Sequence, residues 1–359
     1  MSVNIIFAMI KDMVKEIIDK WGDALPPIAI VPFGYNGMLL KRVLNEQYGI
    51  REQYIVDNYL CHYNPTIISV KELCEKPGDI CVLLSTTRAE YNREIRNVIG
   101  GSIKDIINIM QPPIRETAGK TEYFKKLIKM LKPQKINNFD MVRVGRANDG
   151  GYVMCGDFNP NMHAYSFGID DDNSWDMNIH LLGDINVYMF DHTIKQVPMF
   201  CHGLHWERKG IGVSDEKDLL SLASILANNG DLYNRNLILK MDVEGAEWDI
   251  LESLDDHIID NFKQMLFEFH NITDTSMQER IIYVLERLNE THQVAWVHGN
   301  NFVFAEKDQE ILMPDSIEVL YVRRDSYDIS DDASDQIFDL DMPNNPLRTD
   351  FELSGWNSL

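Results

Sequence analysis

The stretch Lys240-Met241-Asp242-Val243-Glu244-Gly245-Ala246-Glu247 sets three carboxylates within six residues. The apolar run Leu237-Ile238-Leu239 precedes it, and Leu251 and Leu254 follow at helical spacing. Such a pattern reads as a buried strand, a glycine bend and a helix, with acids at the carboxyl end of the strand, where open α/β sheets bind ligands. Carboxylates gathered there are costly unless they hold a ligand, a cation or each other. A second strand, Met265-Leu266-Phe267-Glu268-Phe269-His270, places Glu268 and His270 on one face by alternation. A carboxylate and an imidazole at one strand end can take a proton from a hydroxyl. With Asp242 they could equally ligate a divalent cation.

Two further strand ends carry acids. His163-Ala164-Tyr165-Ser166-Phe167-Gly168 delivers a glycine where a backbone can approach a ligand, and Asp170, Asp171 and Asp172 follow close behind. A phosphate cradle would not set three carboxylates beside that glycine, whereas a ligand with a cationic centre and an amino group tolerates them. Val187-Tyr188-Met189-Phe190-Asp191-His192 ends in an acid 23 residues after Gly168, a position from which a carboxylate can accept both hydroxyls of an adenosine ribose.

Other polar residues have plainer uses. Glu247 lies three residues beyond Glu244, on the same helix face, and can cap or pair there. His298 stands in a Gly-Asn-Asn turn, either inside a site or merely beside turn backbone. Asn148-Asp149-Gly150-Gly151 is a turn, with a lid or substrate contact as its functional version. His202 and His205 flank Gly203 at a spacing that matches no standard metal site, so a plain strand or loop is expected there.

The elements that must position these residues fall into two groups. Residues 4–20 read as an amphipathic helix, with Ile6, Ile10, Met13, Val14, Ile17 and Ile18 at three- and four-residue steps. Packing on its own domain is the first use of that stripe, and contact between copies in a homo-oligomer is the alternative. Strands then follow at Ile28–Phe33, Tyr54–Val56 and Ile80–Leu84, with a helix after Gly34-Tyr35-Asn36-Gly37, which gives a small parallel sheet. Asp57 lies 20 residues after Gly37, where dinucleotide folds place a ribose-binding acid. The glycines read G-x-x-G, however, and not G-x-G-x-x-G, so a scaffold without cofactor competes with nucleotide binding. Gly100-Gly101 and Gln111-Pro112-Pro113 punctuate the chain, which puts a small α/β domain at 1–115 and a second domain at 116–359. Thr121 to Leu131 opens the second domain as a helix that Pro133 ends. The last 35 residues, rich in Asp, read as an extended segment lying over that domain.

With 359 residues, two domains are the natural expectation, and a hydrophobic fraction of 45% supports folded cores. Residues 1–120 carry 14 Lys/Arg against 14 Asp/Glu, so the net charge of −22 falls entirely on the rest. So acidic a chain repels phosphate backbones, which excludes nucleic acid as the expected partner but leaves cations and cationic cofactors open. Five scattered cysteines without a C-x-x-C pair fit reduced thiols and a cytoplasmic location. The apolar run Ile5 to Ile10 is too short for a signal peptide, and no stretch approaches the ~20 apolar residues of a membrane span.

The second domain resembles the FkbM-type S-adenosylmethionine-dependent methyltransferases over about residues 120–350. Lys240 to Leu251 carries the resemblance most closely. Tyr165-Ser166-Phe167-Gly168 with its acids, Arg143-Val144-Gly145, Asn148 to Tyr152, Val297 to Asn301, and Pro314 with Glu318 to Arg324 add to it. The glycine motif departs from the commonest methyltransferase form, having one glycine and no acid before it. The resemblance implies an α/β chain of two Rossmann-like domains, the C-terminal one a class I methyltransferase-type doubly wound sheet. It implies S-adenosylmethionine as cofactor and S-adenosylhomocysteine as product. Ser166, Phe167, Gly168, Asp170, Asp191, His192, Asp242 and Glu244 would touch the cofactor, with Gly168 and Asp170 at its methionine part, Asp191 on its ribose and Asp242 near its methionine end. His270 or His298 would be the base that takes the acceptor proton, with Asp242 and Glu268 beside it, and Asp242, Glu268 and His270 are the candidate ligands of a divalent cation. The acceptor would be a small molecule or a sugar, as in the biosynthesis of bacterial surface polysaccharide. Residues 26–100 resemble the small Rossmann-like modules attached to sugar-modifying enzymes, as in Pro32 to Gly37 and Ile55 to Asn58.

Two competing functions remain at this level. A nicotinamide-dependent oxidoreductase would use the first module, although its glycine signature is incomplete and it lacks a Tyr-x-x-x-Lys dyad. A non-catalytic binding protein would use both modules as scaffolds, although acids and histidines crowd four strand ends.

Overall fold

The computed structural model describes residues 10–356 except positions 12, 16, 20, 22–24, 77, 87–88, 100–102, 104, 111, 334–339, 347 and 354–355. Ile6 of the N-terminal stripe, and Gly100, Gly101 and Gln111 of the expected boundary, lie outside the described residues. The described positions between 10 and 21 are helical, and Ile10, Met13 and Val14 are buried. The chain divides into two compact units, Met1–Pro112 with Pro346–Thr349, and Pro113–Asn345 with Asp350–Leu359. Among the described residues, no helix is long and apolar enough to cross a membrane.

In the first unit, β1 (Ile28–Val31), β2 (Tyr54–Ile55), β3 (Cys81–Leu84) and β4 (Asp105–Asn108) form a parallel sheet in the order β2-β1-β3-β4. The sequence reading held three of these strands and missed the fourth. β1 and β3 are apolar at every position because both faces are covered. Ile28, Ile30, Cys81 and Leu83 face one core with Leu40 and Val43 of α1 (Tyr35–Tyr48). Ala29, Val31, Val82 and Leu84 face the other, with Val70 of α2 (Val70–Cys74) and Ile95 of α3 (Ala89–Ile99). Asp57 Oδ1 accepts the amides of Tyr59 and Leu60, both at 2.9 Å, so the carboxylate that could have faced a ribose organises its own turn.

The second unit opens with α4 (Thr121–Met130), which carries Tyr123, Phe124, Leu127 and Ile128 into the core. Its main sheet has seven strands: β5 (His163–Phe167), β6 (Asn186–Phe190), β7 (Leu204–Glu207), β8 (Leu237–Met241), β9 (Phe262–Phe269), β10 (His292–Gly299) and β11 (Ile317–Arg323). Their order is β7-β6-β5-β8-β9-β11-β10. β7 to β9 run parallel, and β11 runs antiparallel to both β9 and β10. Alternation divides each strand between two cores. Tyr165, Phe167, Leu239 and Met241 share a core with α4, α6 (Leu222–Asn228), α7 (Glu247–Ser253), α8 (Asp256–Ile259) and α9 (Gln278–Thr291), while Ala164 and Ile238 pack with Trp175 and Ile179 of α5 (Ser174–Gly183). This is the doubly wound sheet expected from the sequence.

Strand order reverses between β5 and β8, the switch point at which such sheets open a crevice. In the antiparallel part, Glu268 of β9 stands opposite Glu318 of β11, and Glu318 stands opposite His298 of β10, so the three form one row across the sheet. Described parts of the C-terminal segment, around residues 341–345 and 350–353, pack on this unit. Asp341 accepts from Trp296 Nε1 at 2.6 Å, Asn344 Nδ2 donates to Glu318 at 2.6 Å, and Phe351 and Leu353 join the core.

Candidate active site

A cleft of about 840 Å³ lies beyond the carboxyl ends of β5, β6, β8 and β9. Eight carboxylates line it: Asp149, Asp170, Asp171, Asp172, Asp191, Asp242, Glu244 and Glu268. Arg146 and Lys240 also line it, and both are engaged. Arg146 pairs with Asp172 at 3.4 Å, and Lys240 Nζ donates to the Gly168 carbonyl at 2.7 Å. Trp175, Phe190, Ile211 and Leu219 supply an apolar stretch of wall.

Gly168 follows β5 with φ +79°, in the left-handed region that favours glycine, and a Cβ there would stand 1.6 Å from the Asp242 carbonyl oxygen. The sequence reading gave this glycine to a ligand. In the structure it lines the cleft and also packs closely on the backbone of the neighbouring strand end. Asp191, at the end of β6, gathers the turn after Gly168. Its Oδ2 accepts the amides of Ile169 (2.9 Å) and Asp170 (3.0 Å), and its Oδ1 accepts the amide (2.8 Å) and hydroxyl (2.6 Å) of Thr193. Burial alone would raise this carboxyl, but the hydroxyl and amide donors outweigh it and hold Asp191 below its ordinary range.

At the other end of the cleft, α7 grips His270. Glu247 is fully buried, and its Oε1 accepts both the His270 amide (2.7 Å) and Nδ1 (2.8 Å). Its Oε2 accepts the Gly245 amide at 2.8 Å. Trp248 Nε1 donates to the His270 carbonyl at 2.7 Å, and its ring stacks on Phe269 at 4.5 Å. With Nδ1 so fixed, Nε2 faces Glu268 (3.5 Å), Glu244 (3.6 Å) and Asp242 (3.9 Å). Glu268 is 5% exposed, and Asn300 Nδ2 (2.6 Å) and Ser316 Oγ (3.0 Å) both donate to its Oε1. Burial, then the charges of Asp242 and Glu318, push Glu268 well above the usual carboxylate range, and burial pushes Asp242 up to about 6. Burial works against a charged His270 ring, yet the Glu247 hydrogen bond and the surrounding carboxylates push it up to about 10.

Of the residues singled out from sequence, Phe167, Gly168, Asp170, Asp191, His192, Asp242, Glu244, Glu268 and His270 line the cleft. Ser166 does not; it is fully buried beneath. His298 does not reach the cleft either. It stands on β10 and not in the following turn, 4% exposed, with Nδ1 3.1 Å from Glu318 and Nε2 3.0 Å from Asp350. Those two carboxylates overcome the cost of burial and push His298 up to about 10. The groups around both rings favour the charged form, whereas the expectation made either ring the acceptor of a proton. The functional part of Glu247 was missed, because three-residue spacing on a helix fits a capping acid equally well. Asn300 and Ser316 were missed because the sheet pairing that carries them to Glu268 leaves no local signal.

Residues 158–318 match the family model described as Methyltransferase FkbM domain. No curated protein and no solved structure matches the chain.

Proposed function

Since the chain carries a methyltransferase domain of the FkbM family at residues 158–318, we propose that it transfers a methyl group from S-adenosylmethionine to a hydroxyl oxygen of a small or glycan-linked acceptor. The observation that carries this reading is the acidic cleft, with a tied glycine turn at one end and a carboxylate–histidine cluster at the other. Its volume suits a cofactor with an acceptor beside it. Its excess of carboxylates suits a ligand bearing a sulfonium and an ammonium, and its apolar wall suits an adenine. The cofactor supplies an electrophilic methyl group, so the protein's work is in-line placement and removal of one proton.

Gly168, Phe167 and Asp170 form the floor at the methionine part, with Asp242 near its ammonium end and His192 at the rim. Asp191 takes the ribose. Its four donors fill the lone-pair sites of a carboxylate, and Thr193 Oγ1 is the one that can rotate away, being an exposed side chain. The acceptor oxygen lies at the Glu268 end. Its proton passes to the carboxylates around His270, while the imidazolium, clamped by Glu247, keeps those carboxylates from repelling one another.

Calorimetric titration of the purified protein with S-adenosylhomocysteine, with NAD as the parallel titrant, tests this. Micromolar binding that is lost in Asp191→Ala supports the reading and justifies an acceptor screen among sugars. NAD binding without S-adenosylhomocysteine binding would overturn it and move the function to the first unit.

A further inference from the structure

We propose that Asp242, Glu268 and His270 form a binding site for one divalent metal ion of the Mn2+ kind, with its open positions facing the acceptor end of the cleft. The use of the ion rests on the methyltransferase reading; its binding does not.

Four observations carry the site. One ligand atom from each of the three residues lies within 4.8 Å of the other two. Atoms that ligate one ion at about 2.0–2.3 Å must lie roughly 3–4.5 Å apart, so a contraction of no more than a few tenths of an ångström fits the cluster to an ion. Second, His270 Nε2 stands 3.5 Å from Oε1 of Glu268, the oxygen that Asn300 and Ser316 also approach, and 3.9 Å from Oδ1 of Asp242. Those gaps are long for hydrogen bonds, and too short for a water to stand between. Third, each of two ligands is held from behind. Glu247 fixes the Nδ1 side of the ring, so Nε2 becomes the ligating atom once the ion displaces its proton to solvent and takes over the charge of the imidazolium, and a buried carboxylate behind a ligating histidine is the usual support of a metal site. Asn300 and Ser316 fix Oε1 of Glu268. Fourth, Glu268 is 5% exposed and lines the cleft, and among the described residues nothing donates a hydrogen bond to its Oε2.

One imidazole with two carboxylates favours a first-row ion over Ca2+, and an oxygen-rich set favours Mn2+ over the softer members. Three protein ligands leave positions for water or an acceptor hydroxyl. An oxygen on the ion gives up its proton more readily. That proton goes to Glu244, the carboxylate of the cluster outside the proposed ligand set, which is open to solvent. The O–H bond breaks, the oxygen keeps its electron pair, that pair forms the bond to the methyl carbon, and the methyl–sulfur bond breaks with its electrons left on the sulfur of the departing S-adenosylhomocysteine.

The test is titration of the chelator-treated full chain with Mn2+, following the free-ion signal by electron paramagnetic resonance without cofactor or acceptor. One strong site is expected in the wild type, weakened at least about tenfold in Asp242→Asn, Glu268→Gln and His270→Gln, and about 10–100-fold in Glu247→Gln. Glu268→Gln removes a carboxylate from beside two others, so its melting temperature without metal should equal or exceed that of the wild type. Loss of binding in that variant therefore cannot be ascribed to misfolding. Absence of binding at about 1 mM Mn2+, or unchanged affinity in the three ligand variants, overturns the site. Binding of Mn2+ as expected together with no S-adenosylhomocysteine binding upholds the site and overturns the methyltransferase assignment. The converse result upholds that assignment and overturns the site.

Discussion

Asp191 shows how one carboxylate can tie a loop together and still be offered to a ligand. Replacing it by Ala strips an acceptor from the buried amide of Ile169 and from the amide of Asp170. Beyond lost cofactor binding, the cost should be about 1–3 kcal/mol of stability, read as a lower urea midpoint. Thr193→Val separates the two roles. It removes the one competing donor that can turn away, so S-adenosylhomocysteine affinity should hold or improve by calorimetry. A clear loss of affinity would assign Thr193 itself to the ligand. Gly168→Ala drives a Cβ into the Asp242 carbonyl from a backbone conformation that alanine avoids. It should cost at least about 3 kcal/mol, measurable by thermal denaturation even without ligand.

At the scale of elements, α7 and β10 hold the two charged histidines by different means. Helix α7 is only seven residues long, yet Glu247 and Trp248 engage the amide, carbonyl and Nδ1 of His270. Glu247→Gln should therefore lower kcat about 10–100-fold while the cofactor KM stays within a few fold. A parallel rise in both would mean that α7 had simply come loose. His298 is a structural charge. Its folded pKa lies above the unfolded value, so its contribution is full below about pH 6.5 and is lost as pH rises through about 10. His298→Gln leaves Glu318 and Asp350 without a cation and should cost about 3 kcal/mol near neutrality. The deficit should shrink toward pH 10 in denaturation curves, and a constant deficit would point to packing instead.

Much of this architecture is legible in local sequence. Each of β5, β6, β8 and β9 announces itself as a largely apolar run with an acid within three residues of its end, and those acids converge because parallel strands end on the same side. The row Glu268–Glu318–His298 was not legible. It depends on β11 inserting antiparallel between β9 and β10, a register that no window of sequence encodes. For the same reason His298 was read with the turn that follows it. The helix position of Glu247 was seen and its direction was not, since a carboxylate can point to solvent or inward with the same spacing. At the scale of the whole molecule, eight of the 56 acidic residues line one cleft, where the described residues place only two Lys or Arg against them. Such a cleft should prefer the positively charged cofactor over its uncharged-sulfur product. The preference should narrow as ionic strength rises and screening sets in, which paired calorimetric titrations at low and high salt would show. A salt-independent ratio would put the discrimination in shape.

The row across the sheet ends at Asp350, on the far side of His298 from Glu318. That residue touches no wall of the cleft, yet it belongs to the same chain of alternating charges as Glu268. Neutralising it in Asp350→Asn leaves more of the His298 positive field to act on Glu318 and, one strand further, on Glu268. The acid limb of the pH–rate profile should then move to lower pH while the cofactor affinity stays put. Residues that line no wall of a cleft can still set the charge at which its chemistry runs, and the shifted acid limb would assign that part to Asp350.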